Sequence, residues 1–409
     1  AGQGSPVPGM SIGRDQEIVP MLTYHSVGMQ HESWIWKHLS ERADVFAKLL
    51  ERLARAGYRT VTLDQLYAHM AGDERCPPKS IVLVFDDGYL DNWTTVAPLL
   101  KQYGMRGTVY VNPDFVDPGS GLRPQRRPGP EGGEAVDHVG FMNWDELRSV
   151  DESGVLDVQS HSLTHTWHFT DPEIVTCYSR GNAARYPWIA WNARPDRKPF
   201  YLSEDQSAFI EAGTPVFKHE KSLIARRFLP DETASLKLMS AYPDFCSNFP
   251  ADSEGWIQDY RRFVSRVIGA GTFPGRHETE EEHEARVQAE LSESKRIIEE
   301  KLDKSVNYLC WPGGGTDALC KRLAGEVGYR SWTLPSREQV SKRNRPRTNP
   351  AEIKRLPAMR DSYFFGRNWG AGSERLTLLD IYSHQESFIH NILRKIYKVA
   401  VAAGVAGQR

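Results

Sequence analysis

The 409-residue chain is short of several things, and each shortage narrows what it can do. It has no excess of charge of either sign: 51 Lys and Arg against 53 Asp and Glu leave a formal net charge of −2. No whole-chain field therefore draws it to nucleic acid or to an anionic membrane surface, and its partners must be read from local sites. Cysteine is scarce, with Cys76, Cys177, Cys246, Cys310 and Cys320 irregularly spaced and no Cys-x-x-Cys pair. They read as reduced or incidental residues, not as a disulfide framework or a zinc or redox motif. No apolar run approaches the roughly 18 to 20 residues of a membrane span, and the N-terminus lacks the basic-then-apolar form of a signal peptide. The expectation is a soluble chain with no membrane span, its compartment and oligomeric state left open.

What is present is alternation. The 40% hydrophobic content is ample for a large core. Short apolar runs alternate with amphipathic stretches, the pattern of parallel strands joined by helical crossovers. The runs are "IVPMLTY" (18–24), "RTVT" (59–62), "SIVLVF" (80–85), "GTVYV" (107–111), "VLDVQS" (155–160) and "VNYLCW" (306–311), followed by "YRSWTL" and "IKRLPAM". Between 166 and 277 the period fails while Trp, Tyr and Phe stay abundant. That is far too long for an ordinary βα loop and too aromatic for disorder, so it reads as an ordered insertion or lid. The resulting division is a tail (1–17), a first catalytic part (18–165), the insertion (166–277), and a second part ending in a helix (278–409). In the stretch 278–304, Val287, Leu291, Ile298 and Leu302 share one helical face and the remaining residues read as solvated.

Polar residues collect where the strands end. His25 follows the first run, Asp86 and Asp87 the third, His161 the fifth, and "PGGG" the sixth. In a parallel β/α barrel those ends share one rim, so residues distant in sequence can meet there. Two adjacent aspartates at the end of a buried strand repel each other and lose hydration, a cost that needs a cation or a proton to offset it. "HSLTH" offers His161 and His165 four residues apart, on one side of a helical turn and within reach of one ion. Two imidazoles and a carboxylate with an open position form a recurrent catalytic metal set. Asp87 is then a ligand, and Asp86 a free general base beside the water that such an ion activates.

"FDDG" (85–88) and "HSLTH" (161–165), in this order and at strand ends, resemble the first two motifs of the polysaccharide deacetylases of carbohydrate esterase family 4, which carry the NodB-homology domain. The resemblance implies a distorted (β/α)7 barrel and a hydrolase that removes N-acetyl groups from an amino sugar of a polysaccharide or glycan precursor. It assigns Asp86 as base and Asp87, His161 and His165 as ligands of a divalent metal, zinc first, with nickel or cobalt as alternatives. "CWPGGG" (310–315) stands at the family's Arg-Pro-Pro-Tyr motif. The tyrosine position, whose backbone N–H serves the oxyanion, falls on Gly313, and the arginine position falls on Cys310. The family's late Leu-x-His is not evident near "RLPAMRDS"; instead "LTYHSV" is similar to the Tyr-His motif of poly-N-acetylglucosamine deacetylases, whose motif order is permuted. That similarity assigns His25 as the general acid, with His384 in reserve.

Aromatic and basic residues of the insertion are candidates for sugar contact, as flat apolar faces suit pyranose C–H surfaces. Trp188, Trp191 and Arg194, with Trp311 beside the glycine turn, are the substrate-binding candidates; Tyr186, Tyr201, Arg197 and Lys198 are near them in sequence. Two rival readings remain. One keeps the same centre for a small non-sugar amide, and the other is a catalytically silent carbohydrate-binding module.

Overall fold

The structure, a computed structural model, describes residues 17–29, 31, 34–126, 139–248, 255–269, 271–339, 341–358, 363–364, 367–368, 374–385 and 392–393. The expected N-terminal tail, apart from Glu17, and most of the terminal helix past 385 lie outside these residues.

The main sheet runs, in spatial order, Glu352–Ile353, Ser331–Thr333, Tyr308–Leu309, Leu156–Ser160, Gly107–Val111, Ser80–Phe85, Met21–Tyr24 and Leu356–Pro357. Every pairing along it is parallel. The two ends of that order are consecutive in the chain, separated by Lys354 and Arg355 alone. Three Cα steps span at most about 11 Å, so the sheet has to curl until its edges nearly meet. Residues 352–357 thus act as one broken seventh strand that belongs to both edges, and the fold is a distorted (β/α)7 barrel. At the break, buried Asn344 stands in for a neighbouring strand: its amide donates to Lys354 O and its Oδ1 accepts from Lys354 N.

The period-two alternation of each strand sorts its side chains. Ile81, Leu83 and Phe85 pack outward with Leu22, Val109, Val158 and Leu309 against the surrounding helices. Val82 and Val84 belong to a separate interior cluster with Met21, Tyr110, Tyr308 and Cys310. Asp86 continues the inward series 82, 84, 86. The helix Ala43–Arg55 covers the outside with Phe46, Leu49, Leu50 and Leu53, spacings of three, one and three that make a single stripe.

The helix Glu280–Leu302 starts at a capping box in which Thr279 and Glu282 satisfy each other's backbone N–H groups. Val287, Leu291, Ile298 and Leu302 are buried as expected, but so are Glu290 and Ser294. The rest of this helix is therefore not simply a solvated face.

The described residues between 166 and 277 form regular elements with cores of their own. Trp167–Cys177 and Pro215–Lys221 form an antiparallel hairpin, flanked by the helices Pro187–Ala193, Glu232–Asn248 and Trp256–Ile268. The segment builds two aromatic-rich cores, one around Tyr178, Trp188 and Trp191, the other around Phe217, Tyr242 and Tyr260. Among the described residues no helix is long and apolar enough to cross a membrane.

Candidate active site

Strand alternation would send Asp87 to the opposite face from Asp86. It does not go there, because Asp87 adopts φ +75° and the chain turns back at the strand end. A left-handed conformation at a non-glycine residue costs about 1 kcal/mol or more, which the surrounding contacts must hold in place. Both carboxylates consequently face one pocket.

The histidines reach the same pocket by a comparable device. The expectation of a helical turn is corrected here: residues 161–166 form an irregular loop after the Leu156–Ser160 strand. Ser162 at φ +61° and His165 at φ +40° fold that loop so that the two imidazole centroids lie 5.1 Å apart. Asn112 fastens it by donating to the carbonyls of His161 and Ser162. Glu290, buried in the helix behind, accepts from the hydroxyls of Ser162, Thr164 and Ser222.

Asp87 Oδ1 lies 3.2 Å from His161 Nε2 and 3.4 Å from His165 Nε2. That oxygen is buried yet has no hydrogen-bond partner of good geometry. The three donor atoms all lie within 4.8 Å of one another, within the reach of one ion. His161 Nδ1 is committed to Cys310 O at 2.8 Å, which leaves Nε2 on the side of Asp87. Burial pushes His165 down to about 4, so its imidazole is neutral at ordinary pH, the form that ligates a metal. For Asp87 burial acts to raise the pKa, but His161, His165 and His25 outweigh it and hold the carboxyl well below its usual range. Burial acts to lower the His161 pKa, but Cys310, Asp87 and Asp86 outweigh it and raise it, so an ion bound there would displace a proton from this imidazole. Asp87, His161 and His165 fit a divalent ion in donor type and proximity. Asp86, His161 and Cys310 also approach one another closely, but there His161 has already turned its Nδ1 to the Cys310 carbonyl.

Asp86 is held from below. Arg355, at the break that closes the barrel, donates from Nη1 to Asp86 Oδ2 at 2.6 Å and lies 3.1 Å from Cys310 Sγ. Burial alone would raise the Asp86 pKa; Arg355 first, then His161 and His25, bring it below the usual carboxylate range. Its other oxygen, Oδ1, is buried with no hydrogen-bond partner. The arginine missing at position 310 is therefore supplied from a different strand, and the small Cys310 side chain leaves room for it. Sequence reasoning missed Arg355, although the basic pair Lys354–Arg355 inside the strand-like segment "IKRLPAM" was the available signal.

His25 Nε2 stands 3.8 Å from Asp86 Oδ2 with the side chain 25% exposed. Its backbone is anchored by Asn92, whose amide donates to His25 O at 2.9 Å. Next to it, buried Asp91 accepts from Ser26 Oγ and from the N–H groups of Val27 and Met29. Asn92–Val96 is a π-helical stretch, a local widening frequent at functional sites. Gly313 lines the pocket at φ +53°. A Cβ there would come 2.9 Å from Lys221 Cε, so the hairpin lysine occupies the space an aromatic side chain would need. The turn is closed by Gly314 and Gly315 N–H groups donating to Trp311 O and Pro312 O, and that of Gly313 takes no part in closing it.

The substrate candidates scatter. Trp191 lines the pocket, as does Tyr201. Trp188 is buried behind them against Phe169 and His219, and Trp311 is fully buried against Trp332 in the outer core. Arg194 pairs with Asp196 and lies over Phe209, away from the pocket. Lys198 is not a surface cation but a buried one, 2.7 Å from Asp114 Oδ2. His384 sits on the helix Glu374–His384 with Nδ1 toward Asp380 O, outside the pocket lining.

Comparisons with known proteins bear on this geometry. The YxkH protein of Bacillus subtilis (strain 168) is 23% identical over 147 residues, 36% of this chain and 43% of that protein. The poly-beta-1,6-N-acetyl-D-glucosamine N-deacetylase of Escherichia coli (strain K12) is 27% identical over 147 residues, again 36% of this chain but 20% of that protein. This chain therefore spans less than half the length of either relative. In fold it is similar to a solved de-N-acetylase from Aggregatibacter actinomycetemcomitans, at a TM-score of 0.50 and 17% identity over 83% of this chain and 94% of that one. Residues 73–184, which contain both aspartates and both histidines, match the polysaccharide deacetylase family model.

Proposed function

We propose that this chain is a metal-dependent hydrolase that removes N-acetyl groups from an amino sugar of a polysaccharide or glycan precursor. One observation carries the reading: two adjacent buried carboxylates each keep an oxygen, Asp86 Oδ1 and Asp87 Oδ1, without a hydrogen-bond partner, beside two imidazoles. Unsatisfied buried carboxylate oxygens are costly, and a catalytic role is a recurrent reason for keeping them. The family match and the deacetylase named among its relatives supply the reaction class.

Asp87, His161 and His165 would hold the ion, zinc in the first instance. A divalent ion bound there supplies Lewis acidity, polarising the acetyl carbonyl and making a water acidic near neutral pH. Asp86, oriented through Oδ2 by Arg355, presents Oδ1 to take the proton of the attacking water. The water oxygen bonds to the acetyl carbon, the C–N bond breaks, and acetate and the free amine leave. His25 delivers the proton to the departing nitrogen, while the Gly313 N–H faces the developing oxyanion. Acid–base steps of this kind contribute about 10²- to 10⁴-fold each and an oxyanion donor about 10²- to 10³-fold.

The small non-sugar amide keeps some support, because the pocket encloses only about 180 Å³ and is walled largely by aromatic rings. Acetate release is to be measured from N-acetylglucosamine and its oligomers and from a panel of linear and cyclic amides, before and after chelation and metal return. Chelator-sensitive acetate release from the sugars is expected. Turnover of the amides alone, or glycan binding without turnover, contradicts the proposal.

A further inference from the structure

His25 sits at the bend between the strands Met21–Tyr24 and Ser26–Val27, and its two sides are held differently. Before it, the Asp86 N–H donates to Tyr24 O at 2.9 Å, the last rung joining the first strand to Ser80–Phe85. After it, Ser26–Val27 pairs in parallel with Ser40–Glu41, and the Gly28 N–H donates to Glu41 O at 2.8 Å. That sheet has two strands among the described residues, so the other edge of the segment 26–29 must find its acceptors elsewhere. They come from Asp91, whose Oδ2 accepts from Ser26 Oγ at 2.5 Å, Val27 N at 2.7 Å and Met29 N at 3.2 Å.

Asn92 completes the hold. Both groups beside its Nδ2 are acceptors, Asp91 Oδ1 at 3.0 Å and His25 O at 2.9 Å, so the amide must turn its NH2 toward them. Its own Oδ1 is buried without a hydrogen-bond partner, an orphan that ordinary packing avoids. Four donors thus converge on the two oxygens of Asp91. An asparagine at 91 would have to aim its own NH2 at one set of donors or the other; only a carboxylate accepts from both. Ser26, Asp91 and Asn92 are fully buried, so water does not make good a lost bond. The short loop Asp86–Asn92 therefore carries the proposed base at its start and grips the backbone of His25 at its end.

We infer that Asp91 and Asn92 are positioning residues for the leaving-group acid: they fix the His25 carbonyl and the segment after it, and so hold the imidazole beside Asp86. His25 Nε2 is thereby kept 3.8 Å from Asp86 Oδ2, with the proton donor and the proton acceptor of the reaction on one connected unit. An error of about 1 Å in such a placement costs on the order of 100-fold in rate. Neither residue lines the pocket, so both act through His25. This rests on the assignment of His25 as acid in the deacetylase reading above.

The test sets the amide of N-acetylglucosamine oligomers against para-nitrophenyl acetate, whose phenolate leaves without needing a proton. The full, zinc-loaded chain and its Asp91→Asn, His25→Ala and doubly substituted variants are assayed on both, with metal content followed by elemental analysis. Asp91→Asn is expected to keep its metal and to lose on the order of 10- to 100-fold in kcat on the amide with KM little changed, while hydrolysing the ester within about 3-fold of wild type. In the His25→Ala background the same substitution is expected to cost less than about 3-fold on the amide. Wild-type amide turnover in Asp91→Asn, equal losses on amide and ester, or a full loss repeated in the His25→Ala background overturns the inference and leaves the deacetylase reading intact. Wild-type amide turnover in His25→Ala defeats the acid assignment, and the inference with it. Ser26→Ala removes one of the four donors, spares the carboxylate and serves where Asp91→Asn does not fold. A smaller loss confined to the amide supports the inference there, and wild-type amide turnover contradicts it.

Discussion

At the scale of single residues, the decisive contact is the one between Asp86 and Arg355. A buried carboxylate and a guanidinium 2.6 Å apart offset each other's desolvation, so removing either alone leaves an unpaired buried charge. Arg355→Met is expected to lower unfolding stability by about 3–5 kcal/mol in urea titrations. The double variant with Asp86→Asn should lose clearly less than the sum of the two single changes; strict additivity would mean the pair is not coupled. Asp91 gives a pH signature. Burial pushes it up to about 6 despite hydrogen bonds from Ser26, Met29, Val27 and Asn92. An unfolded aspartate titrates near 4, so the folded state binds this proton more tightly. Its stabilising contribution is full below about pH 4 and is lost as pH rises through about 6. Two units correspond to about 3 kcal/mol. The difference between wild-type and Asp91→Asn stability profiles should therefore change across pH 4–6 and stay level above it. A flat difference would refute the assignment.

At the scale of elements, the catalytic geometry depends on loops held by helices that never touch the pocket. Glu290 on the Glu280–Leu302 helix binds the Ser162 and Thr164 hydroxyls and so fixes the span between the two candidate histidine ligands. Groups that orient metal ligands typically contribute 10- to 100-fold to affinity. Glu290→Gln is expected to weaken zinc binding by that factor in competition with a chromophoric chelator, with the far-ultraviolet circular dichroism unchanged. Wild-type affinity in this variant would reduce Glu290 to packing. The same helix shows what was legible in the sequence. Its apolar stripe reports burial directly, so Val287, Leu291, Ile298 and Leu302 could be placed without coordinates. Glu290 could not, because a buried carboxylate in a helix looks like any solvated one until its three hydroxyl partners are brought up from 128, 126 and 68 residues away. The strands Ser80–Phe85 and Gly107–Val111 match their apolar runs residue for residue, as buried parallel strands have few other ways to read. The irregular loop at 161–166 escaped, since spacing alone does not distinguish a helical turn from a left-handed kink.

At the scale of the whole molecule, closure of the barrel and construction of the site are one event. The break at Lys354–Arg355 lets a short strand join both edges of the sheet, and it places Arg355 beneath Asp86. A period-two reading finds strands but not the point at which a sheet meets itself, which is why this arginine stayed hidden. The insertion was visible as a loss of period, whereas its function as a wall was not, because tryptophans that pack and tryptophans that line a pocket have the same composition. Trp188 and Trp191, on one short helix, took those two different roles.

The claim on which everything else depends is a single divalent ion held by Asp87, His161 and His165, with Asp86 outside its ligand set. Elemental analysis of the purified chain and of its Asp87→Ala, His161→Ala, His165→Ala and Asp86→Asn variants tests it most directly. The account predicts one equivalent of metal in the wild type and in Asp86→Asn, the latter without turnover, and loss of metal in the other three. Full metal in Asp87→Ala or His161→Ala, or equal loss in Asp86→Asn, would contradict it.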